Sequence, residues 1–396
     1  MEPSPLDLIK GTPFSDYTST ITKLTGGYIN HVWRLTNNKN GKSVIVKYAG
    51  KTMAALPEAE FSVERMEFEA KGLALFGALP DTLKNDPILR AVNELGKKFA
   101  GASDVHLPRL LYYDRSIPFV VIEDLGDLKS YEDWCIGKDV HKAEQADIEF
   151  ACKIIGQWIA CLHGFGYENF SALKPYFTNT PARDALGDVF YNSFCSRIVE
   201  HTAFADRREL ADIVREFKAE ITTLADCSEQ KGGSNPCTLL FGDLWSGSVL
   251  FDKHKRIVNL IDLEFADIGL NFGDVAHFVA HLWPVHFLRH PSYNPNTDPY
   301  PSHVVLFLKT YAQTLKAEYP SAYSALIDNG NTVRQMNVFF GAEVARDVLT
   351  GYWCRCGKGK TEKDMPIKCI CADTLLPFTR RYIRNGQDSV FSILLD

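Results

Sequence analysis

The chain has 396 residues, 45% of them hydrophobic and 23% charged, with a formal net charge of −6 at pH 7. These values are ordinary for a soluble globular protein, and the acidic balance offers no field that would attract nucleic acid or anionic lipid. No apolar run reaches the roughly 18 residues of a membrane span, and the first residues lack the pattern of a signal peptide. We therefore expect a cytoplasmic protein with no nucleic-acid or membrane partner, and the length favours two lobes over one.

The first 50 residues alternate in the manner of β-strands around glycines. Strands are predicted at residues 21–25, 28–35 and 43–48, with Gly26 and Gly27 in the first turn. A glycine turn between two strands can lie over phosphates with its backbone N–H groups facing them. Any hairpin can also carry two glycines for purely structural reasons, so this turn alone does not decide between the two interpretations.

Lys47 closes the third predicted strand, and a helix is predicted at 64–76 with Glu69 near the border of its apolar stripe. A strand lysine of this kind either extends its charged end to water or contacts nucleotide phosphates. Glu69 is either a solvated carboxylate or the partner that holds Lys47 in place. Both alternatives stay open on these residues alone.

Two further strands, at 108–114 and 118–126, end in the acidic stretch that contains Glu123, Asp124 and Leu125. An extended stretch of this kind suits a connector between lobes, where backbone groups could bind adenine. From about residue 127 the pattern becomes helical, so we place a hinge at about 120–127, a nucleotide-binding lobe at 1–125 and a catalytic and substrate-binding lobe at 126–396. Helices are predicted near 154–163, 184–226, 272–283, 303–316 and 333–351, and a loop at 284–301.

The most informative pattern is a pair of aspartates on either side of a predicted β-hairpin. Asp243 lies before the hairpin and Asp262 after it, 19 residues later. Because a strand that runs out and back returns the chain to its start, Asp262 should lie near Ser248 and Asp243. One carboxylate can orient an attacking hydroxyl and the other can hold Mg²⁺ on nucleotide phosphates. An aspartate beside glycines is also often only a turn residue, but the convergence favours phosphoryl transfer.

Two other sets of residues in the sequence could be metal ligands. His277 and His281 lie at i and i+4 of a predicted helix, a spacing that suits a metal, although histidines of the core or of a substrate cleft are favoured because the residues between them are apolar. Four cysteines form two Cys-x-Cys pairs, and zinc sites usually space their thiolates more widely, so we interpret them as free thiols. These cysteines are Cys354, Cys356, Cys369 and Cys371.

The segment FGDLWSGS at 241–248, joined to IDLE at 261–264, resembles the aminoglycoside phosphotransferase/choline kinase superfamily. That family usually has His-Gly-Asp with an Asn five residues after the Asp, positions that Phe241 and Ser248 occupy here. Within the superfamily, Ser248 and the Asp-x-Glu motif look like bacterial methylthioribose kinases. The resemblance implies an α+β, protein-kinase-like two-lobed fold, with a small antiparallel-sheet N-lobe and a larger, mainly helical C-lobe.

The resemblance also implies ATP and Mg²⁺ as cofactors and assigns roles to individual residues. Asp243 would be the catalytic residue, and Asp274 would brace the catalytic loop. Cofactor-binding residues would be Gly26, Gly27, Asn30, Lys47, Glu69, Glu123 and Leu125. Metal ligands would be Ser248, Asp262 and Glu264, and substrate contacts Trp245 and Arg346.

The implied function is ATP-dependent transfer of the γ-phosphate to a hydroxyl of a small metabolite, with a sugar kinase similar to methylthioribose kinase favoured. Asp347 stands where that family has the second of two substrate-binding arginines, and Trp245 is closer to fructosamine kinases. An acidic cleft would favour cationic amines and an arginine-lined one a sugar, and Arg346 favoured the sugar.

The alternatives are a kinase for an aminoglycoside, a choline-type amino alcohol or a fructosamine, and a catalytically silent nucleotide-binding pseudokinase. Departures from the usual motif at Phe241 and Ser248 motivate the silent alternative. Trp283, Trp353 and the 284–301 loop were expected to line the acceptor cleft. The sequence leaves the oligomeric state open, with a homodimer as one option.

Overall fold

A computed structural model describes residues 3–25, 27, 29–136, 143–187, 191–200, 205–225, 237–290, 292–295, 297–350, 378–384 and 389–396. Several residues singled out in the sequence lie outside these ranges. They are Gly26, Trp353, Cys354, Cys356, Cys369 and Cys371.

The N-terminal part is built on an antiparallel sheet, as predicted. Its strands pair in the order β1-β2-β3-β8-β7, and every pairing is antiparallel. Two short strands, β4 and β5, form a separate hairpin. The strands of this part are β1 (Thr20–Lys23), β2 (His31–Thr36), β3 (Ser43–Tyr48), β4 (Thr52–Met53), β5 (Leu56–Glu60), β6 (Val105–His106), β7 (Leu110–Asp114) and β8 (Phe119–Glu123).

The helices carry most of the rest of the described chain. Those before residue 180 are α1 (Pro5–Ile9), α2 (Arg65–Phe76), α3 (Pro87–Gly96), α4 (Tyr131–Ile136), α5 (Gln145–Glu168) and α6 (Phe170–Leu173). Those after it are α7 (Thr180–Gly187), α8 (Ser193–Glu200), α9 (Arg207–Ala225), α10 (Phe272–Arg289), α11 (Ser302–Glu318), α12 (Pro320–Leu326) and α13 (Thr332–Thr350). The predicted α+β arrangement, with the sheet first and the helices after it, is confirmed.

The central strand β3 explains why Lys47 points toward the helical side. Successive side chains of a strand face opposite sides of a sheet. Val44 and Val46 pack into one apolar cluster with Leu8 of α1, so Ile45 and Lys47 face the other way, toward α2. A lysine on this face is buried, and it therefore needs a partner of opposite charge.

The second group of strands positions the two aspartates. Strand β9 (Cys237–Leu240) leads into Asp243, and the hairpin of β10 (Val249–Asp252) and β11 (Ile257–Leu260) leads into Asp262. The hairpin forms with Val249 opposite Leu260, which confirms the prediction. Strand β12 (Asp267–Leu270) pairs antiparallel with β9, and β6 pairs with β11. Thus β6, which precedes the predicted hinge, joins a sheet of the C-terminal part.

Two helix predictions need correction. The loop expected at 284–301 begins only after Arg289, because α10 continues through Pro284. Proline lacks the N–H and normally interrupts a helix, but here burial of the segment dominates. The neighbouring Trp283 packs against Phe340 and Phe378 and is fully buried, so it belongs to the core instead of lining a cleft. The helical stretch expected at 184–226 is divided among α7, α8 and α9.

The described helices differ from membrane-spanning ones. Among them, no helix combines the length and the apolar character that crossing a bilayer requires. The longest, α5, has a polar residue on most of its turns and is buried against α11 and β9. Its apolar surface is therefore used in the protein core.

Candidate active site

The loop between β9 and β10 holds Asp243 in a fixed backbone conformation. Gly242 has φ +95°, and a Cβ at this position would lie 1.9 Å from the carbonyl oxygen of Phe265, so only glycine fits. Asp274, at the start of α10, accepts hydrogen bonds from the backbone N–H of Phe241 at 2.7 Å and of Gly242 at 2.8 Å. The bracing role that the resemblance implied for Asp274 is confirmed.

Asp243 itself is partly accessible. Its side chain is 24% exposed, and Oδ1 lies 3.1 Å from Nε2 of His277 on α10. A carboxylate held on one side and open on another can accept or orient a proton from an incoming hydroxyl. The sequence marked Asp243 and His277 separately but gave no sign that they touch.

Ser248 is committed to the inside of the loop. Its side chain is buried, and Oγ accepts a hydrogen bond from the Trp245 N–H at 3.1 Å. The same oxygen lies 2.9 Å from the carbonyl oxygen of Trp245 and 3.2 Å from that of Asp243. These contacts use its one hydrogen and one of its two lone pairs, so the geometry favours a loop-bracing residue over the metal ligand that the resemblance implied.

Lys47 lies at the centre of three carboxylates. Its Nζ is 2.7 Å from Asp262 Oδ1, 3.3 Å from Glu264 Oε2 and 3.4 Å from Glu69 Oε2. The predicted pairing of Lys47 with Glu69 is therefore present. Burial opposes the charged form of this lysine, yet the three carboxylates raise its pKa, so Lys47 is a cation in the folded protein.

Lys47 alone does not balance the negative charge of the three carboxylates. Burial raises the pKa of Glu69 to about 7 even though Lys47 opposes the shift. Burial likewise raises the pKa of Glu264, against the effect of Lys47 and Arg65. Two buried carboxylates with raised pKa values beside a third indicate a site that would gain from another cation.

Asp262 and Glu264 have the chemistry that Mg²⁺ requires. Magnesium takes oxygen ligands and usually binds through one or two carboxylates together with substrate phosphates. Glu264 lies in the short 3₁₀ helix Leu263–Phe265, and the side chain of Asp262 is 35% exposed. Asp262 also has φ +70° and ψ +62°, a left-handed conformation that is uncommon for a residue other than glycine and is concentrated at functional sites. These residues fit the ion.

An arginine that the sequence reasoning did not assign a role connects the glycine turn to this site. Arg65 is buried at the start of α2, and its Nε donates to Asn30 Oδ1 at 2.8 Å, while a terminal nitrogen donates to the carbonyl oxygen of Gly50 at 3.0 Å. Asn30 in turn donates to Glu264. Asn30, which was expected to contact nucleotide, thus belongs to a hydrogen-bond network that holds Glu264. Gly27, three residues earlier in the glycine turn, is exposed.

The end of β8 is tied to the sheet by contacts that the sequence did not reveal. Asp124 accepts from Ser43 Oγ at 2.6 Å and pairs with Arg34 Nε at 2.7 Å. Glu123 accepts from the backbone N–H of Arg109 at 3.2 Å, so its side chain turns back toward β7. Leu125, the other residue expected at the adenine, is half-buried. These contacts fix the segment that was predicted to be the hinge.

Trp245 forms one wall of the region next to Asp243. Its ring lies 5.7 Å from that of His281, and a Cβ on Gly247 would come within 2.2 Å of the indole. The absence of a side chain at Gly247 therefore makes room for the ring. The indole remains partly exposed, so it can contact a substrate.

Acidic side chains surround Arg346 and lie close to this wall. Arg346 Nε donates to Asp347 Oδ1 at 2.8 Å, and a terminal nitrogen lies 3.7 Å from Glu343 Oε1. Glu132 accepts from Ser246 Oγ at 3.0 Å, and burial raises its pKa. Burial also raises the pKa of Asp347, against the effect of Arg346. The positive charge of Arg346 is therefore already compensated within the protein.

Comparison with known proteins agrees with this chemistry. A family model described as the phosphotransferase enzyme family, APH, matches residues 20–292, well over half of the chain. The chain is 26% identical over 271 residues to 4-hydroxytryptamine kinase from Psilocybe cyanescens, which covers 66% of each protein, so the match spans about two thirds of that relative. It is 25% identical over 364 residues to methylthioribose kinase from Geobacillus thermodenitrificans strain NG80-2, covering 85% of this chain and 80% of that one.

The chain is also similar to the solved structure of a macrolide 2′-phosphotransferase type I. The TM-score is 0.42 and the identity 15%, and the match covers 90% of this chain and 91% of that one. The family also accounts for the protein-kinase-like order of a small antiparallel sheet followed by helices. The chain belongs to the APH phosphotransferase enzyme family.

Proposed function

We propose that this protein transfers the γ-phosphate of ATP to a hydroxyl group of a small metabolite, with Asp243 as the catalytic residue. The observation that carries the proposal is the arrangement of the residues that precede β10 and follow β11. Asp243, which precedes β10, is open to an acceptor. Asp262 and Glu264, which follow β11, contact Lys47. This division between a proton acceptor and a phosphate-and-metal site is what phosphoryl transfer requires.

The nucleotide side would work through charge. Asp262 and Glu264 would hold Mg²⁺, which supplies neutralisation of the β and γ phosphate oxygens. Lys47, kept cationic by its carboxylates, would contact the phosphates while Glu69 keeps it in position. Arg65 and Asn30 would hold Glu264 from behind. Gly27, Glu123 and Leu125 remain proposals as backbone contacts to the nucleotide.

The residues next to Asp243 favour an acceptor substrate that is an alcohol and also carries a cationic amine. The preference for a sugar rested on Arg346, and that arginine is paired with Asp347 and close to Glu343. Glu343 is engaged by His277 and Asp347 by Arg346, so the acidic character next to Trp245 comes from Glu132, which accepts from Ser246. A partly exposed indole next to Ser246 and its partner Glu132 suits an ammonium group, which is attracted to the face of an aromatic ring.

A catalytically silent protein is the second candidate, because Phe241 and Ser248 replace the usual residues of the family loop. The loop geometry, however, depends on backbone N–H groups that donate to Asp274. The Phe241 side chain instead packs in the core with Trp158. These contacts favour an active loop, since a histidine side chain is not needed to form them.

Turnover of Mg-ATP, read as ADP release, tests the proposal across a panel of acceptors. The panel holds hydroxylated arylalkylamines, choline, aminoglycosides, fructosamines and methylthioribose. Removing a positioned base costs about 10²–10⁴-fold in rate, so Asp243→Asn should lose nearly all acceptor-dependent turnover. Asp212→Asn on the exposed face of α9 is the matched control and should keep it.

Two results would contradict the proposal. Retention of most turnover by Asp243→Asn would remove this residue from its role. Nucleotide binding without turnover for any acceptor on the panel would favour the silent protein. A signal with methylthioribose and none with the amines would restore the sugar as acceptor.

A further inference from the structure

A buried histidine bridges the proposed catalytic aspartate to a second carboxylate. His277 is only 4% exposed, and its Nε2 lies 3.1 Å from Asp243 Oδ1 while its Nδ1 lies 2.6 Å from Glu343 Oε1. A neutral imidazole has one N–H and one bare nitrogen. Because both ring nitrogens face carboxylate oxygens, both should carry hydrogen, and the ring should then be an imidazolium.

The charges around the ring support this protonation state. Burial disfavours a charged imidazole, but Glu343 and Asp243 raise the pKa of His277 to about 10. Burial acts against ionisation of Glu343 as well, yet His277 and Arg346 hold its pKa well below the usual range. The titratable groups that face this pair or its immediate partners in the described chain are Asp243, His281, Arg346, Asp347, Glu132 and Tyr191.

We propose that His277 is a positioning residue that, as a buried cation backed by Glu343, fixes one oxygen of Asp243 and leaves the other to the acceptor hydroxyl. The inference rests on the proposed role of Asp243. It deepens that role because the carboxylate would otherwise be free to rotate in its loop. Holding a reacting group in one geometry is a large part of what an enzyme contributes to rate.

The same cluster has a competing interpretation as a metal site. Ligand atoms of His277, His281 and Glu343 lie within 4.8 Å of one another, and this donor set suits zinc. The 2.6 Å contact between His277 and Glu343, however, has the length of a charge-assisted hydrogen bond. Arg346, 3.7 Å from the same carboxylate, already supplies the positive charge that a metal would bring. The contacts therefore favour an ion pair between a protonated His277 and Glu343 over a shared metal ion.

The charge state can be measured without any enzyme assay. In protein labelled with ¹⁵N-histidine, the His277 ring, identified by its loss in His277→Gln, should remain doubly protonated at pH 8. A ring that is neutral at pH 8 would overturn the proposal. Zinc bound at one equivalent to the purified protein, and lost in His277→Gln, would overturn it in favour of the metal site.

The positioning role has a distinct signature in the pH profile. Glu343→Gln removes the carboxylate that most raises the pKa of His277, so this pKa should fall toward the ordinary value of about 6.5. The imidazole then loses its proton as pH rises, and kcat should drop about tenfold or more between pH 7 and pH 9, since the charged fraction falls about tenfold per unit. Wild type should show no such drop over this range.

A double variant separates this effect from simple damage to the fold. In His277→Gln the side chain can still donate one hydrogen bond but has no charge to lose, so kcat should fall with little change in KM. Adding Glu343→Gln to it should then introduce no drop between pH 7 and pH 9. His254→Gln in the exposed turn after β10 is the control and should match wild type.

Two kinetic results would contradict the role, and each is distinct from failure of the proposed function. Unchanged kcat in His277→Gln would show that the histidine does not position Asp243. A drop between pH 7 and pH 9 that persists in the double variant would assign it to another group. Absence of turnover for every acceptor would instead contradict the proposed function, and the ¹⁵N titration would still decide the charge of His277.

Discussion

The residue that leads into β10 and the residues that follow β11 belong to two different ion clusters. The two clusters differ in how their charges are balanced. The lysine cluster consists of Lys47, Glu69, Asp262 and Glu264. The histidine cluster consists of His277, Asp243, Glu343 and Arg346. Burial raises the pKa values of Glu69 and Glu264 in the first, whereas neighbouring cations lower that of Glu343 in the second.

The difference indicates what each cluster is built to do. Carboxylates with raised pKa values are short of cations, so the lysine cluster should gain from an incoming metal ion. Glu343, whose pKa is lowered, already has its cations in His277 and Arg346, so the contact between His277 and Glu343 needs no further ligand. We infer that the first binds the nucleotide and its metal, and that the second serves as a rigid support for Asp243.

The largest expected effect comes from removing the only cation that contacts all three carboxylates among the described residues. Lys47→Met leaves buried carboxylates uncompensated, and breaking a buried ion pair in this way costs about 3–5 kcal/mol. Denaturant unfolding should show this loss, together with loss of turnover. Lys39→Met, which breaks the exposed pair of Lys39 with Asp16, should cost far less, because water and salt screen an exposed pair. Equal losses in the two variants would contradict the difference between buried and exposed pairs.

A smaller effect should follow from adding the ligand. A ligand present at 100 times its dissociation constant stabilises the folded state by about 2.7 kcal/mol. Mg-ATP should therefore raise the unfolding temperature of wild type, and Asp262→Asn should lose most of that increase while Asp212→Asn keeps it. If Asp262→Asn gains as much as wild type from Mg-ATP, the lysine cluster does not hold the metal.

The smallest effect is the pH dependence of the histidine cluster. The pKa of His277 is raised from 6.5 to about 10 in the folded protein, so the ring contributes stability that is complete below pH 6.5 and is lost as pH rises through about 10. His277→Gln should be less stable than wild type by about 1.5–3 kcal/mol near neutral pH, the range for a hydrogen bond to a charged group.

That stability difference should shrink as pH approaches 10. Urea unfolding of both proteins across the range measures it. A difference that stays constant with pH would mean that His277 contributes packing and not charge.

Sequence patterns predicted the local parts of this arrangement and missed its long-range contacts. Alternation and turns predicted β3 and the β10–β11 hairpin, and the helix stripe placed Glu69 where it could reach Lys47. Nothing local in the chain shows that Glu343 of α13 reaches His277 of α10, because that contact depends on how two helices pack. The same holds for Asp124, which pairs with Arg34 90 residues earlier.

Pro284 illustrates the opposite failure. The segment 284–301 is rich in Pro, His, Asn and Ser, a composition that predicts a loop, yet α10 continues past Pro284 because its first part is buried beside Trp283 in an aromatic core. The Ser248 hydroxyl is a related case, since its place in the motif suggested a ligand and its contacts lie inside the loop. Tertiary packing decided the first case, and contacts within the loop itself decided the second.

The most direct test of the central claim is transfer of radiolabelled phosphate from [γ-³²P]ATP to a hydroxylated arylalkylamine with Mg²⁺ present. A labelled phosphate ester is expected with wild type and with Asp212→Asn, and about 10²–10⁴-fold less of it with Asp243→Asn. Label that appears equally with Asp243→Asn would contradict the role of Asp243. Label that stays in ATP for every acceptor tested would contradict the assignment of this protein as a small-molecule kinase.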